Sequence, residues 1–319
     1  MPDRIRIYDV IVVGAGPAGV AAAIYAERLG LKVLVLKSGV VLSQLLIAHS
    51  VENYPGFPKG IRGSSLISLF TSQAEILGVV FETAHVTKIK SVEEKLGSYY
   101  EIVSEKNNFY SHTVILATGA SYKRLGIEQE DIFVGKGLSY CALCDGAFFK
   151  DKEIVLVGGG DTALEEALYL ANIVKKVTIV HRRGMFRAVE YFQRKVFENK
   201  KIEVKFDCVL EKLNGRDFLE SVTIRNNQDG VVTELPCAGL FIAIGFIPNT
   251  GFLKGFVDLD KGGFVKVDLS MKTSRQGVFS CGDCTNTTLN QVVTAAAEGA
   301  VATTAVKVYM DSIRGLEYF

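Results

Sequence analysis

DVIVVGAGPAGVAAAIYAERLGLKVLVLK, residues 9–37, runs from an apolar strand through a glycine turn into an alanine-rich helix and out to a second strand. Each glycine has a separate task in such a unit. Gly14 makes the tight turn, Gly16 lets backbone N–H groups approach a pyrophosphate, and Gly19 allows the helix to pack on the strand. One glycine-rich turn alone is weak evidence. The chain holds a second: EIVLVGGGDTALEEALYLANIVKKVTIVH, residues 153–181, in the same register. Gly158 stands for Gly14, Gly160 for Gly16 and Ala163 for Gly19, and both copies resume with Lys-Val at Lys32-Val33 and Lys176-Val177. The phosphates of a bound dinucleotide would lie on each helix N-terminus, where orphan N–H groups and the helix dipole favour negative charge. Two framed copies predict an α/β protein with two Rossmann-like (three-layer ββα) dinucleotide-binding domains.

The ends of the second strands distinguish the two sites. An acid commonly closes this unit by bonding a ribose 2′-OH, but Lys37 and His181 occupy that place here. After the second copy comes HRRGMFR, which gathers Arg182, Arg183 and Arg187 where an adenosine 2′-phosphate would lie. Guanidinium forks match a phosphate dianion, so the second site is expected to take NADPH in preference to NADH. The plainer reading is a solvated basic patch. The first site has no such cluster, which points to a different dinucleotide there.

Working outward, VILATGA (114–120) and LFIAIGFIPNTG (240–251) are buried strands ending in glycine turns, and they bracket the second unit. The simplest division inserts a domain, residues 118–247, into a discontinuous domain made of 1–117 and 248–319. Gly119 and Gly245 at the crossings are candidate hinges. Alternation across 85–113 suggests antiparallel ribbon. GVFSCGDCTN (277–286) reads as a short strand and a turn at Asp283, followed by a helix with many small residues. Those small residues would admit a flat cofactor, or would simply pack tightly.

Composition bounds the rest. The 319 residues carry 36 Lys and Arg against 35 Asp and Glu, a formal charge of +1, so no polyelectrolyte binder is indicated and neither nucleic acid nor an anionic membrane is an expected partner. The apolar run 10–26, with Arg4 and Arg6 ahead of it, resembles a signal segment, but Gly14, Gly16, Pro17 and Gly19 interrupt it. The expectation is a soluble cytoplasmic protein. Six cysteines in a chain of this size do not make a disulfide scaffold; paired ones point to metal or redox chemistry.

One such pair lies in SYCALCDGAFF (139–149), where Cys141 and Cys144 are followed directly by Asp145. Half a zinc site, a structural clasp and an electron-carrying couple are all open to a CxxC. Zinc needs further ligands, which only Cys281 and Cys284 match, and their use would take Asp283 away from a cofactor. No metal is expected. A clasp closing so short a loop stabilises little. A redox couple fits best, because a helix N-terminus favours a thiolate and Asp145 can protonate the leaving thiol.

The motifs taken together, GAGPAG (14–19), VENYPGF (51–57), ATGA (117–120), SYCALCDG (139–146), GGGDTALEEA (158–167), HRRGMFRA (181–188), IAIGFIPNT (242–250) and Gly282-Asp283, stand in the order in which they occur in the low-molecular-weight thioredoxin reductases, and the chain resembles that family through nearly its whole length. The resemblance implies a homodimeric flavoprotein with FAD in the split domain and NADPH in the inserted one. It implies FAD contacts from Gly14, Gly16, Pro17, Ala18, Gly19, Gln44, Asn53, Val86, Thr118, Gly119, Asp283, Asn290, Gln291 and Val292. For NADPH it implies Gly158, Gly160, Asp161, Thr162, His181, Arg182, Arg183, Arg187 and Gly245. By the family pattern Cys144 faces the flavin, Cys141 is the outward nucleophile and Asp145 the acid, with the inserted domain swinging between nicotinamide and disulfide poses. The implied activity is electron transfer from NADPH through FAD and Cys141–Cys144 to thioredoxin or a glutaredoxin-like protein.

Three departures stand out. Leu42-Ser43-Gln44 replaces the family's GGQ turn, Leu143 stands where Thr or Val is usual, and Cys281/Cys284 form a second CxxC that the family does not usually have. Rival readings are a ferredoxin-reducing flavoprotein, a peroxide-forming oxidase and a zinc-stabilised nucleotide-binding regulator.

Overall fold

The computed structural model describes residues 6–39, 43–48, 51–94 and 97–316; Arg4 and Leu42 lie outside them. The chain forms two compact units. One runs to Ala48 and takes in Ile61–Ser121 and Ile247 onward, and the other joins Tyr122–Phe246 with a short segment ending at Gly60.

In the first unit, parallel strands Val80–Thr83, Val33–Lys37, Ile7–Val13 and Asn108–Leu116 lie side by side. Val278–Ser280 pairs with the C-terminal half of Asn108–Leu116. Val10, Ile11, Val12, Leu34, Val35, Ile115 and Leu116 are wholly buried. Such strands carry continuous apolar runs because both faces are covered, each large side chain contributing about 1.5–3 kcal/mol of transfer free energy. The N-terminal half of Asn108–Leu116 leads instead into antiparallel Gly97–Ser104 and Val86–Glu94, the ribbon expected from the alternation.

The glycines of the first turn are sterically required. Gly14 has φ +116°, and a Cβ there would lie 2.1 Å from the Ala117 carbonyl oxygen; one on Gly19 would lie 1.9 Å from that of Gly14. The helix Pro17–Arg28 therefore starts directly on the strand end.

The small residues of the C-terminal helix Val292–Ile313 serve this same packing. A Cβ on Gly299 would meet the Ala18 carbonyl oxygen at 2.2 Å, and the Thr303 hydroxyl donates to the Ala22 carbonyl at 2.9 Å. The close approach at Gly299 is thus to the helix Pro17–Arg28, the plainer of the two sequence readings.

The second unit has an all-parallel five-stranded sheet in the order Ile202–Lys205, Lys176–Val180, Glu153–Gly158, Gly239–Ala243, Leu138–Ser139. Its helix Asp161–Ala171 buries Ala163, Leu164, Ala167 and Leu170 in a core shared with Ile154, Leu156 and Phe241. A separate antiparallel sheet, Cys208–Gly215, Leu219–Asn226 and Val232–Pro236, encloses a second core around Leu213, Val222 and Leu240. Next to the crossings, the Asn249 N–H donates to the Gly119 carbonyl in the first unit, and the Lys123 N–H to Gly245 in the second. Both glycines have positive φ, +66° and +102°. No described helix is long and apolar enough to cross a membrane.

Candidate active site

Each unit holds a glycine cradle at a helix start, and the second unit also holds a thiol pair. In the first unit the helix Pro17–Arg28 begins at Gly16 with no capping side chain, so its first N–H groups remain available. The space beside Gly16 is open apart from Ser43 Oγ, 3.7 Å from a notional Cβ. Ser43 starts the short helix Gln44–Ile47, which brings Gln44 to Asp283: the Gln44 Nε2 donates to the Ala120 carbonyl at 2.6 Å and to Asp283 Oδ2 at 3.3 Å. Burial, and then the nearby Glu298 carboxylate, push Asp283 up to about 6. Thr118 and Gly119 follow the strand that ends at Leu116, and Val86 opens the ribbon. Gln291 caps the C-terminal helix, its N–H donating to Thr294 Oγ1 at 3.2 Å, with Asn290 before it and Val292 after. Pro17 and Ala18 form the first turn of the N-terminal helix. Asn53 is exposed, and lies on the short segment that groups with the second unit.

The second cradle repeats the first. The helix Asp161–Ala171 starts at Gly160, again with no capping side chain, and Gly160 borders open space. A Cβ on Gly158 would meet Ala163 Cβ at 2.5 Å and the Ala243 carbonyl oxygen at 2.6 Å. Asp161 and Thr162 are exposed at the helix start, and Asp161 Oδ1 accepts the Val189 N–H at 2.7 Å.

The basic run is sorted by burial. Arg182, Arg183 and Arg187 are exposed, whereas His181 is 6% exposed and Phe186 4%. The His181 ring lies under the cradle, 2.2 Å from a notional Gly159 Cβ, with Nε2 3.1 Å from the Met185 carbonyl. Burial lowers its pKa. His181 thus shapes the loop from beneath, while the guanidinium groups face outward and the Arg187 N–H ties the run back to the Gly159 carbonyl at 2.8 Å.

Cys141 and Cys144 are joined in a disulfide with Cα atoms 5.3 Å apart. Cys141 caps the short helix Ala142–Asp145, and the Cys144 N–H donates to Cys141 Sγ at 3.2 Å. That bond favours a thiolate at Cys141 once the disulfide opens. Both sulfur-bearing residues are half-buried, and Leu143 between them is 49% exposed. Ser139 positions the acid: its hydroxyl donates to Asp145 Oδ2 at 2.6 Å and accepts the Cys141 N–H at 3.0 Å.

Two further carboxylates attend this turn. Glu166, on the helix Asp161–Ala171, is pushed up to about 7 by burial, opposed by the Ala142 N–H, with Glu165 adding to the rise. Glu130 is buried and accepts the Tyr140 hydroxyl at 2.5 Å and the Leu125 and Gly126 N–H groups at 3.2 and 2.9 Å. The Tyr140 ring stacks on Tyr122 with centroids 4.9 Å apart, and Tyr122 meets Phe246 at 4.8 Å. Tyr140, the residue before Cys141, is thereby anchored to the strands beside the crossings. Ser139, Tyr140, Glu130, Glu166 and Glu298 have no role in the sequence reading, even though the first two and Glu166 stand inside quoted motifs, because their partners lie across turns or helices.

The second thiol pair is different. Cys281 and Cys284 are wholly buried and unbridged. The Cys284 thiol packs against the Leu116 and Cys281 carbonyls at 3.5 and 3.4 Å, and burial raises both thiol pKa values.

Residues 8–299 match the family described as pyridine nucleotide-disulphide oxidoreductase. The thioredoxin reductase of Peptoclostridium acidaminophilum is 40% identical over 314 residues, covering 96% of this chain and 98% of that protein. Among solved structures, thioredoxin reductase from Streptococcus pyogenes superposes with a TM-score of 0.90 at 38% identity, covering 96% of this chain and 99% of its own. Thioredoxin reductase from Giardia duodenalis gives 0.89 at 35% identity, covering 95% and 99%.

Proposed function

The chain belongs to the pyridine nucleotide-disulphide oxidoreductase family, and from that premise we propose that Cys141 is the nucleophile toward a protein disulfide, Cys144 the sulfur that receives electrons, and Asp145 the acid. The activity is NADPH-dependent reduction of thioredoxin disulfide with FAD as carrier. Bound FAD supplies two-electron transfer between nicotinamide and disulfide.

The residues fit both dinucleotides, since each cradle offers an uncapped helix start at a glycine with open space beside it, Gly16 or Gly160, close after a glycine that admits no side chain, Gly14 or Gly158. FAD would be held in the first unit by Gly14, Gly16, the Pro17–Gly19 turn, Gln44, Asp283 and the Gln291 helix start. NADPH would be held in the second unit by Gly158, Gly160 and the Asp161-Thr162 helix start, with Arg182, Arg183 and Arg187 supplying positive charge for its 2′-phosphate.

The observation that carries the assignment is the half-buried disulfide at a helix start, with Ser139 bridging Asp145 to the Cys141 backbone. Cys141 is the attacking member because its sulfur accepts the Cys144 N–H, a bond that favours the thiolate once the disulfide opens. It attacks a sulfur of the partner, forming a mixed disulfide, and Asp145 delivers a proton to the departing sulfur. Cys144 then attacks Cys141, releasing the partner's second sulfur as a thiol and restoring the intramolecular bond. The inserted unit turns about Gly119 and Gly245, whose positive φ values permit backbone rearrangement that other residues resist. The chain acts as a cytoplasmic homodimer, and a glutaredoxin-like protein is a second acceptor.

Anaerobic titration tests this reading. NADPH should bleach the flavin at lower concentration than NADH, and oxidised thioredoxin should restore the yellow colour. A protein that bleaches but transfers nothing to thioredoxin would refute the acceptor.

A further inference from the structure

Glu298 lies on the helix Val292–Ile313 and turns its carboxylate back onto the loop that presents Asp283. Oε2 accepts the Gly282 N–H at 2.7 Å, and Oε1 accepts the Thr287 hydroxyl at 2.8 Å. Gly282 has φ +75°, and a Cβ there would meet Ala18 Cβ at 2.8 Å, so this peptide is confined between the two helices. The two ends of the loop are thus tied to one carboxylate whose helix is locked against the N-terminal helix at Gly299. We propose that Glu298 is a positioning residue for the flavin: it holds the Gly282–Thr287 loop in the shape that offers Asp283 to the polyol chain, and its charge makes flavin retention depend on pH.

This rests on the assignment of FAD to the first unit, with Asp283 as a ligand. The groups facing Asp283 are Gln44 from the short helix and Glu298 from the long one, with the protonated thiols of Cys281 and Cys284 on its own loop and uncharged Ala18 on the N-terminal helix. Among the described residues, the charge that acts on Asp283 here is the negative one of Glu298. A polyol hydroxyl donates best to an ionised Asp283. Asp283 is pushed up to about 6 by burial and then by Glu298. Above that pH the site is ready; below it, binding must first expel a proton, and affinity falls. A single proton expelled on binding weakens affinity about tenfold per pH unit below the break. Gln44 donates to Asp283 and holds it in place.

The test is flavin release from the holoenzyme. The protein is filtered at a series of pH values between 5 and 8, and free flavin is read by fluorescence. The parent should hold FAD evenly down to about 6 and lose affinity roughly tenfold over the next unit. Glu298→Gln keeps an acceptor for the Gly282 N–H and removes the charge, so its break should move to lower pH while retention at pH 8 stays within about twofold of the parent. Glu298→Ala removes both bonds as well as the charge, so at pH 8 it should release flavin about tenfold more readily than the parent, the loss of roughly one to two hydrogen bonds, with its break moved down as in Glu298→Gln. A Glu298→Gln break at the parent's pH would overturn the electrostatic role, and a Glu298→Ala protein retaining flavin like the parent would overturn the positioning role. A parent that holds FAD with a flat profile sinks this inference alone; a parent that holds no flavin at pH 8 sinks the cofactor assignment beneath it.

Discussion

The chain carries two CxxC sequences, and they have opposite fates. Cys141-Ala-Leu-Cys144 lies at a helix start, half-buried and bridged, with Ser139 and Asp145 arranged around it. Cys281-Gly-Asp-Cys284 follows a buried strand, is wholly enclosed, and remains two thiols. Spacing is the same; surroundings are not. A backbone N–H aimed at sulfur and an exposed edge make the first pair exchangeable. At the second pair, desolvation raises both pKa values, so the thiols stay protonated across the physiological range and behave as small apolar side chains.

The largest expected effect that tests this contrast is Cys141→Ser. Thioredoxin reduction should fall by at least about three orders of magnitude while NADPH still bleaches the flavin. Retained turnover would put the nucleophile elsewhere, and the second pair would be the first suspect. Asp145→Asn comes next, with turnover expected to drop about a hundredfold, the usual reach of a positioned acid. The loss should be greatest at the step that forms the mixed disulfide with thioredoxin, read by stopped flow.

Cys284→Ala should leave turnover within about twofold and cost about 1–3 kcal/mol of stability, measured by denaturant unfolding, because it opens a small cavity against Leu116. A large loss of activity without a loss of stability would give the buried pair a part in the chemistry. The smallest effect is an expected absence of reaction. After reduction by NADPH, iodoacetamide should label Cys141 first and leave Cys281 and Cys284 unlabelled until the protein is unfolded. Raising the pH to 9 should not change that, since burial holds both thiols above their ordinary value.

The carboxylates of Asp283 and Asp145 form a second contrast. Each directly follows a cysteine or glycine in a motif, and the residue types at both places are legible in the chain. Their supports are not. Ser139 reaches Asp145 across a turn, and Glu298 reaches the Asp283 loop from a helix that starts nine residues beyond it. No local period announces either contact.

Sequence by itself determined the two strand–glycine–helix–strand units, their register and the antiparallel ribbon. Hydrophobic period and glycine sterics are short-range, and they operate within a few dozen residues. It also marked both cysteine pairs, with an outward place for Cys141 implied by the family resemblance and the second pair left between buried free thiols, a stabilising disulfide and a redox role. Tertiary structure decided that the small residues after 290 serve a helix contact at Ala18 and Ala22, that His181 lies beneath its loop while the arginines face out, and that only one CxxC is bridged. Burial and electrostatic environment arise from segments far apart in the chain, and they are set only when the fold brings those segments together.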